Sequence, residues 1–495
     1  MTPTQTLPGQ EQLTSFVAGA RWFGGKGRDF ELSESLRLGV LPTDGDVTAV
    51  IDVVTVSYTD GETDLYQLPL AMYSEPQDRL GHAWVGSWED PDLGVVHVYD
   101  AVHDRDAMAG WLRAFDRAAD GVASTSLDQR EGSLDQRDGL EFHRLPGHDL
   151  DLGAHSTLFS GEQSNSSLAF GEDALLKVFR RLTPGTNPDI SIHEVLTQAG
   201  STNVARLYGW LEWSRLRSTG EGRSTGEGST GEGGETLQLA MLQEFLRTGS
   251  DGWDLALSSV RNLFAEADLY AEEVGGDFAS ESARLGTAVA DIHTLLREHF
   301  PSSVRSPAGQ AALATTMTRR LESALRVVPA LEPYAAGLRA LFDAVGDLEG
   351  TAIQQVHGDL HLGQTLRTAR GWKIVDFEGE PARPLAERIL PDSPWRDVAG
   401  MLRSFDYASH VVEMTAQTTD DSGARQRHFR AEEWALRNQD AFLEAYADRA
   451  LQDAERTMLA AYTADKAVYE CVYEVRNRPG WVGIPLAAIE RVVES

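Results

Sequence analysis

Apolar residues are spread along this chain in two ways. Up to about residue 246 they come in short runs rich in β-branched and aromatic side chains, and beyond about Gly252 they recur at helical spacing. Residues 49–56, 65–70 and 95–99 read as strands, with Thr43-Asp44-Gly45-Asp46 and Thr59-Asp60-Gly61-Glu62 as turns. A helix is expected over about 104–118, because Met108, Trp111, Leu112 and Phe115 share one face. Strands follow at 157–159, 168–170 and 174–179, the last two joined by a Gly171-Glu172-Asp173 turn. Asn187-Pro188-Asp189 opens another helix, and 237–246 reads as a buried strand ending in a hinge. In the second half, Leu285, Val289, Ile292 and Leu296 mark a helical face with His293 beside it as a core histidine. Asp392-Ser393-Pro394 reads as a helix start, and Val398, Met401, Leu402 and Phe405 as the buried stripe after it. Strands first and helices after predict an α+β, two-lobed enzyme with a cleft.

Two repeats interrupt the pattern. Ser-Leu-Asp-Gln-Arg occurs at 126–130 and at 133–137, and a Ser-Thr-Gly-Glu-Gly unit recurs between 218 and 233. Such stretches bury too little surface to offset their ordering entropy, so they are expected to be disordered insertions in surface hairpins.

Composition narrows the choices. The chain has 495 residues, 41% hydrophobic, with a net charge of −32. That field repels nucleic acid and anionic membrane, so neither is an expected partner. No apolar run approaches the roughly 18 to 20 residues of a membrane span, and the N-terminal residues lack the charged and apolar segments of a signal peptide. The single cysteine, Cys471, excludes an intrachain disulfide and a cysteine zinc site. A cytoplasmic protein is the simplest expectation.

The chemistry concentrates in His357-Gly358-Asp359-Leu360-His361-Leu362-Gly363-Gln364 and in Ile374-Val375-Asp376-Phe377-Glu378. Asp359 precedes Gln364 by five positions and Asp376 follows twelve later, the spacing of a kinase catalytic loop and its metal-binding aspartate. Phosphoryl transfer needs a carboxylate to orient the attacking hydroxyl and take its proton, which is Asp359 here. It also needs oxygen ligands for Mg²⁺ on ATP, here Gln364 and Asp376, with Glu378 as a possible addition. Gly358 replaces the arginine, and Gln364 the asparagine, of protein kinases. Both departures point to the small-molecule branch of the fold. Upstream, Lys177 on a strand is the candidate phosphate-binding lysine and Glu194 its candidate partner. Gly161, Gln163, Ser164, Asn165 and Ser166 read as a loop over the phosphates, and the Gln243, Glu244 and Leu246 backbone as the adenine hinge. His357-x-Asp359-x-His361 admits a second reading, a metal-dependent hydrolase, which leaves the spacing to Gln364 and Asp376 unexplained. A non-catalytic scaffold is a third, which the intact Lys177, Asp359, Gln364 and Asp376 argue against.

In this order the motifs resemble those of the actinobacterial maltokinases, which have an aminoglycoside-phosphotransferase-like, eukaryotic-kinase-like fold. The resemblance rests on Arg21-Trp22-Phe23-Gly24-Gly25-Lys26-Gly27-Arg28, on residues 162–168 and 175–181, and on the catalytic loop. It continues through Asp376-Phe377-Glu378-Gly379-Glu380-Pro381, Pro391-Asp392-Ser393-Pro394, residues 396–401 and 465–470, and Arg478-Pro479-Gly480-Trp481. It implies a β-rich cap subdomain over 1–102, a strand-rich ATP-binding lobe over 103–246 and a helical C-lobe over 247–495. It also implies transfer from ATP to the anomeric hydroxyl of maltose, feeding α-glucan synthesis with a maltosyltransferase or trehalose-synthase pathway partner. The closest rival is a glucosamine kinase of the same fold, acting at O6. Lys466, Tyr469, Glu470, Arg476 and Trp481 fit a sugar site by composition and family position. His357 and His361 stand at the same site, where they are expected to brace the loop.

Overall fold

The computed structural model describes residues 8–118, 124–125, 139–159, 164–215, 235–247, 249–265, 277–380, 383–415 and 421–494. Both repeats lie outside the described residues, as do Gly161 and Gln163. Two compact units are formed, one of Met1–Ser191 with Arg206–Leu246, the other of Ile192–Ala205 with Arg247–Ser495.

In the first unit, helix α1 (Gln10–Gly19) leads into an antiparallel sheet of β1 (Phe30–Leu41), β2 (Thr48–Tyr58), β3 (Thr63–Tyr73), β4 (Trp84–Asp90) and β5 (Gly94–Asp100), ordered β1-β2-β3-β5-β4. The unbroken apolar run of β2 is explained by burial on both faces. Ala49, Ile51 and Val53 join one core, and Val50, Val54 and Val56 another with Trp22, Phe23 and Tyr66. Strand β1 lacks a clear period because only its Leu32, Leu38, Gly39 and Leu41 positions are buried, while Leu36 and Val40 are exposed among polar residues.

Helix α2 (Arg105–Ala118) buries Met108, Trp111, Leu112 and Phe115, as its spacing predicts. A second sheet has strands β6 (Ser124–Thr125), β7 (Gly139–Arg144), β8 (Ser156–Leu158), β9 (Asn165–Phe170), β10 (Ala174–Phe179), then, after β11 (Arg181–Leu182), β12 (Leu207–Arg215) and β13 (Glu235–Glu244). Its order is β6-β7-β12-β13-β10-β9-β8, and β11 pairs instead with β3. Leu140, Leu176, Val178 and Met241 of this sheet pack in one core with Ile51 and Trp111. Buried Arg180 bonds Asp100 at 2.8 and 2.9 Å and Ser166 Oγ at 2.8 Å, so the two sheets share an ion pair as well as apolar surface.

Helix α3 (Pro188–Gln198) carries the chain into the second unit, which is mainly helical: α4 (Gly252–Ala265), α5 (Ala279–His299), α6 (Pro307–Leu325), α7 (Ala335–Gly346), short α8 (Leu385–Arg388), α9 (Trp395–Thr415), α10 (Asp421–Ala447), α11 (Asp453–Asn477) and α12 (Gly483–Glu494). The stripes Leu285/Val289/Ile292/Leu296 and Val398/Met401/Phe405 meet in its core. A small sheet of Ser250–Asp251, Thr365–Thr368 and Gly371–Ile374 lies among the helices. Among the described residues, no helix is long and apolar enough to cross a membrane.

Candidate active site

The loop 357–364 is irregular backbone in a packed interior, so its N–H and C=O groups must find partners outside any ladder. Helix α9 supplies them from one face. Asp397, Gly400 and Ser404 stand at i, i+3 and i+7, the helical repeat that lines up side chains. Asp397, 1% exposed, accepts from His357 N at 2.7 Å and Gly358 N at 2.8 Å. Gly400 meets the loop next: a Cβ there would come 2.5 Å from Leu360 O, so only glycine lets helix and loop approach this closely. Ser404 Oγ accepts from Leu362 N at 3.2 Å.

His293, on α5, supports Asp397 from behind. Its Nε2 lies 3.1 Å from Asp397 Oδ2 and its Nδ1 2.9 Å from the Tyr446 hydroxyl, so the core-histidine expectation is met with a specific task. Burial alone would push the Asp397 carboxyl up. The His293 bond and charge, the nearby His357 and the Gly358 N–H together bring it below the usual carboxylate range.

Within the loop, His357 Nδ1 accepts from Asp359 N at 3.3 Å, and its Nε2 faces Val375 O at 3.0 Å. Since Val375 O can only accept, the Nε2 carries the hydrogen. His361 Nδ1 caps its own turn by accepting from Gly363 N at 3.1 Å, and burial holds this imidazole below its ordinary pKa. Both histidines therefore brace the loop. Asp359 is left partly exposed, with Lys466 Nζ of α11 3.4 Å from its Oδ1.

The hairpin Thr365–Thr368/Gly371–Ile374 then returns the chain to the loop. Val375 N donates to Gln364 O at 3.0 Å, and Gln364 Nε2 to Asp376 Oδ2 at 3.1 Å. Asp376 has φ +67°, a left-handed conformation costing a non-glycine residue about 1 kcal/mol and typical of functional turns. Phe377 anchors that turn in the core, against His357 (4.9 Å) and His193 (5.2 Å). Gln364, Asp376 and Glu378 offer only oxygen donors of the hard kind that Mg²⁺ takes, so this set fits that ion.

The first unit holds the other predicted group. Lys177 lies on β10, opposite Ser167 of β9 and Met241 of β13, and its Nζ is 2.7 Å from Asp189 Oδ2. Both residues are buried. Asp189, expected only as part of a helix start, is thus a carboxylate partner of Lys177. Glu194 accepts from Gln198 at 3.1 Å along its own helix. The predicted phosphate loop ends sooner than expected. Ser164 is exposed and ends the described part of the turn, whereas Asn165 and Ser166 are already paired in β9 opposite Phe179 and Val178, and buried. Gln243 and Glu244 end β13; Glu244 N donates to Arg206 O at 2.8 Å, and Leu246 follows the strand. Gln243 Oε1 is buried with no hydrogen-bond partner among the described residues.

The five sugar-site candidates separate. Lys466 and Glu470 are one turn apart on α11, and Glu470 is fixed by Arg403 at 2.8 Å. Tyr469 is 51% exposed; burial of its hydroxyl, then the charges of Glu380, Asp359 and Glu470, push its pKa up. Arg476 is exposed at the end of the helix, and Trp481 lies under the Arg478 guanidinium at 4.1 Å. Asp397, Gly400 and Ser404 were missed as functional positions. Their signal was a small and polar stripe beside the apolar stripe of α9.

The fold is α+β, with the N-terminal sheet ahead of the loop 357–364. Residues 16–104 match the model of the maltokinase N-terminal cap domain. Over 432 residues the chain is 29% identical to a glucosamine kinase of Streptacidiphilus jiangxiensis, covering 80% of this chain and 88% of that protein. A glucosamine kinase of Mycolicibacterium smegmatis is 27% identical over 425 residues, 82% and 94% of the two chains. The solved structure of a glucosamine kinase in complex with glucosamine, ADP and inorganic phosphate matches with a TM-score of 0.63 at 22% identity, over 99% of each chain. The likeness to maltokinase-type, kinase-like proteins read from the motifs therefore stands, and the fold is the one glucosamine kinase has.

Proposed function

We propose that this protein is an ATP-dependent sugar kinase. The reading rests on one observation above all: a fixed loop and a strained turn gather Asp359, Gln364 and Asp376 within one unit. Asp359 would orient the acceptor hydroxyl and take its proton as the phosphoryl group arrives. Gln364 and Asp376, with Glu378 beside them, would hold Mg²⁺, which neutralises charge on the phosphates. Lys177, with Asp189 and the proposed partner Glu194, would hold the α and β phosphates beneath Gly161, Gln163 and Ser164. Gln243, Glu244 and Leu246 would border the adenine, whose amine is the kind of donor that the orphaned Gln243 Oε1 lacks.

Glucosamine is the acceptor we favour, with transfer to O6. The two relatives described above, each aligned over about four-fifths of this chain, are glucosamine kinases. Near the half-exposed Tyr469 stand the carboxylates of Glu380, Asp359 and Glu470, each also paired with a cation (Arg396, Lys466 and Arg403); an ammonium on the sugar would compete for them, whereas a neutral disaccharide would not. This moves the emphasis away from maltose. Maltose remains the second reading because the cap matches the maltokinase model, and a maltosyltransferase or trehalose-synthase pathway partner goes with that reading. The test is ADP release from Mg·ATP with glucosamine, maltose, glucose or no sugar. Stimulation by glucosamine, lost in Asp359→Asn, is expected. Stimulation by maltose alone would transfer the assignment to maltose, and stimulation by no sugar would overturn the kinase reading.

A further inference from the structure

Away from the catalytic loop, two groups of three metal-ligating side chains lie within single units among the described residues. Glu141, His143 and Glu212 form one on the second sheet. There His143 stacks on Trp210 at 4.6 Å, and Glu212 already accepts from Trp210 Nε1 and Gln238 Nε2, so the polar atoms serve a hydrogen-bond network. The other group differs. We propose that His410, Glu413 and His428 form a Zn²⁺ site that joins α9 to α10.

The donor atoms of these three residues lie within 4.8 Å of one another. His410 and Glu413 are three apart on α9 and so share a face, while His428 comes from α10. His410 Nδ1 is 2.8 Å from Asp406 O. A carbonyl can only accept, so that nitrogen carries the hydrogen, and Nε2 presents its lone pair. Metal-bound histidines have the same arrangement, their second nitrogen donating to a carbonyl or carboxylate that fixes tautomer and ring. The His410 and His428 ring centroids are 5.9 Å apart, a separation that lets both rings reach one ion. His428 Nδ1 is 3.1 Å from Glu413 Oε1, close to the roughly 3.3 Å edge of a tetrahedron built from the usual zinc bond lengths. A modest opening of that contact would admit the ion in place of the shared hydrogen.

Two imidazoles and one carboxylate are a zinc set rather than a magnesium set, which separates this site chemically from Gln364 and Asp376. Burial is graded: His410 is 7% exposed and anchored, whereas the His428 side chain is 52% exposed and gives an ion access. Glu432 Oε1, 3.8 Å from His428 Nε2, lies on the side of the second ring nitrogen and is not a ligand; water would complete the coordination. The ion would fasten the far end of α9, the helix whose first turns hold the catalytic loop.

The test uses the full chain after removal of metal with a chelator, titrated with Zn²⁺ in a large excess of Mg²⁺ by calorimetry, with Co²⁺ absorption as a geometric readout. One equivalent of Zn²⁺ should bind, raise the melting temperature and give the visible bands of tetrahedral Co²⁺. His428→Ala, at an exposed position, should keep the fold and weaken binding by roughly 100-fold. Glu413→Gln should weaken it as well. Zn²⁺ affinity unchanged in His428→Ala, or lost instead in His143→Ala, would overturn the proposal, as would no binding by the wild-type chain.

Discussion

Lys177 and Asp359 are held by different physics. Lys177 stands on a central strand whose backbone is satisfied on both sides by β9 and β13, so the sheet itself aims the side chain and the buried Asp189 carboxylate meets its tip. Asp359 stands on a loop with no ladder. Its backbone is held by side chains and backbone of a helix some forty residues further on, at Asp397, Gly400 and Ser404. A strand-borne group therefore depends on its direct partner. A loop-borne group depends on residues that touch no substrate.

The sharpest contrast to draw is between the working carboxylate and its support. Asp359→Asn should lower kcat by about 10³-fold, the usual scale for loss of a general base, with melting temperature nearly unchanged because the side chain is partly exposed. Asp397→Asn should behave in the opposite sense. It removes a buried charge that takes two loop N–H bonds and His293, so it should cost about 3 kcal/mol of stability by chemical denaturation and reduce kcat secondarily. Acid gives an independent check. The Asp397 carboxyl is held below its unfolded value, so its contribution is present above about pH 4 and is lost as pH falls through the folded value. Stability measured from pH 6 downward should fall less steeply in the variant. If Asp397→Asn leaves stability and the acid slope unchanged, the loop is held by something else, and the comparison with Lys177 fails.

On the strand side, Lys177→Met should raise the KM for ATP by roughly 10- to 100-fold, the value of a charge-assisted bond. Substitutions two residues away on the same strand face should matter much less than those at Asp189. Next in size, Gly400→Ala adds a methyl 2.5 Å from Leu360 O, where neither backbone can give way easily. Overpacking of this kind costs about 1–3 kcal/mol, against a helix-propensity gain of up to about 1. A net loss of stability together with a lower kcat is expected, and a stabilised, fully active Gly400→Ala would show that the approach is not essential.

The same distinction decides what the sequence disclosed. Asp359, Gln364 and Asp376 lie within eighteen residues, and their spacing reflects local geometry, so the order alone exposed them. Lys177 stands out for a similar reason, since a strand–turn–strand pattern ahead of that loop carries it. Asp397, Gly400 and Ser404 do not, because helix α9 is buried on more than one face. Periodicity picks out its apolar stripe of Val398, Met401 and Phe405 and assigns no task to the small and polar residues between them. Asp189 was read from its Asn-Pro-Asp context as a helix start, and nothing local indicates that Lys177 reaches it. Asn165 and Ser166 looked like loop because small polar residues favour turns, yet pairing with β10 takes them into the sheet. Arg476 and Trp481 rest on composition and family position, neither of which says where a side chain points.

Lys466→Ala should have the smallest effect and the most informative sign. The Lys466–Asp359 pair is long, at 3.4 Å, and its side chains are 32% and 27% exposed, so its loss should cost at most about 1 kcal/mol, or roughly fivefold in kcat. Its effect on KM depends on the acceptor. A neutral sugar would lose a hydrogen-bond donor, and its KM would rise. A protonated amino sugar would lose a nearby like charge, and its KM would fall or hold steady while kcat drops. Measuring both constants for glucosamine and maltose in the same variant therefore tests the acceptor through one side chain. A KM that rises for glucosamine as much as for maltose would remove the charge argument for the amino sugar, and leave Asp359 and its loop untouched.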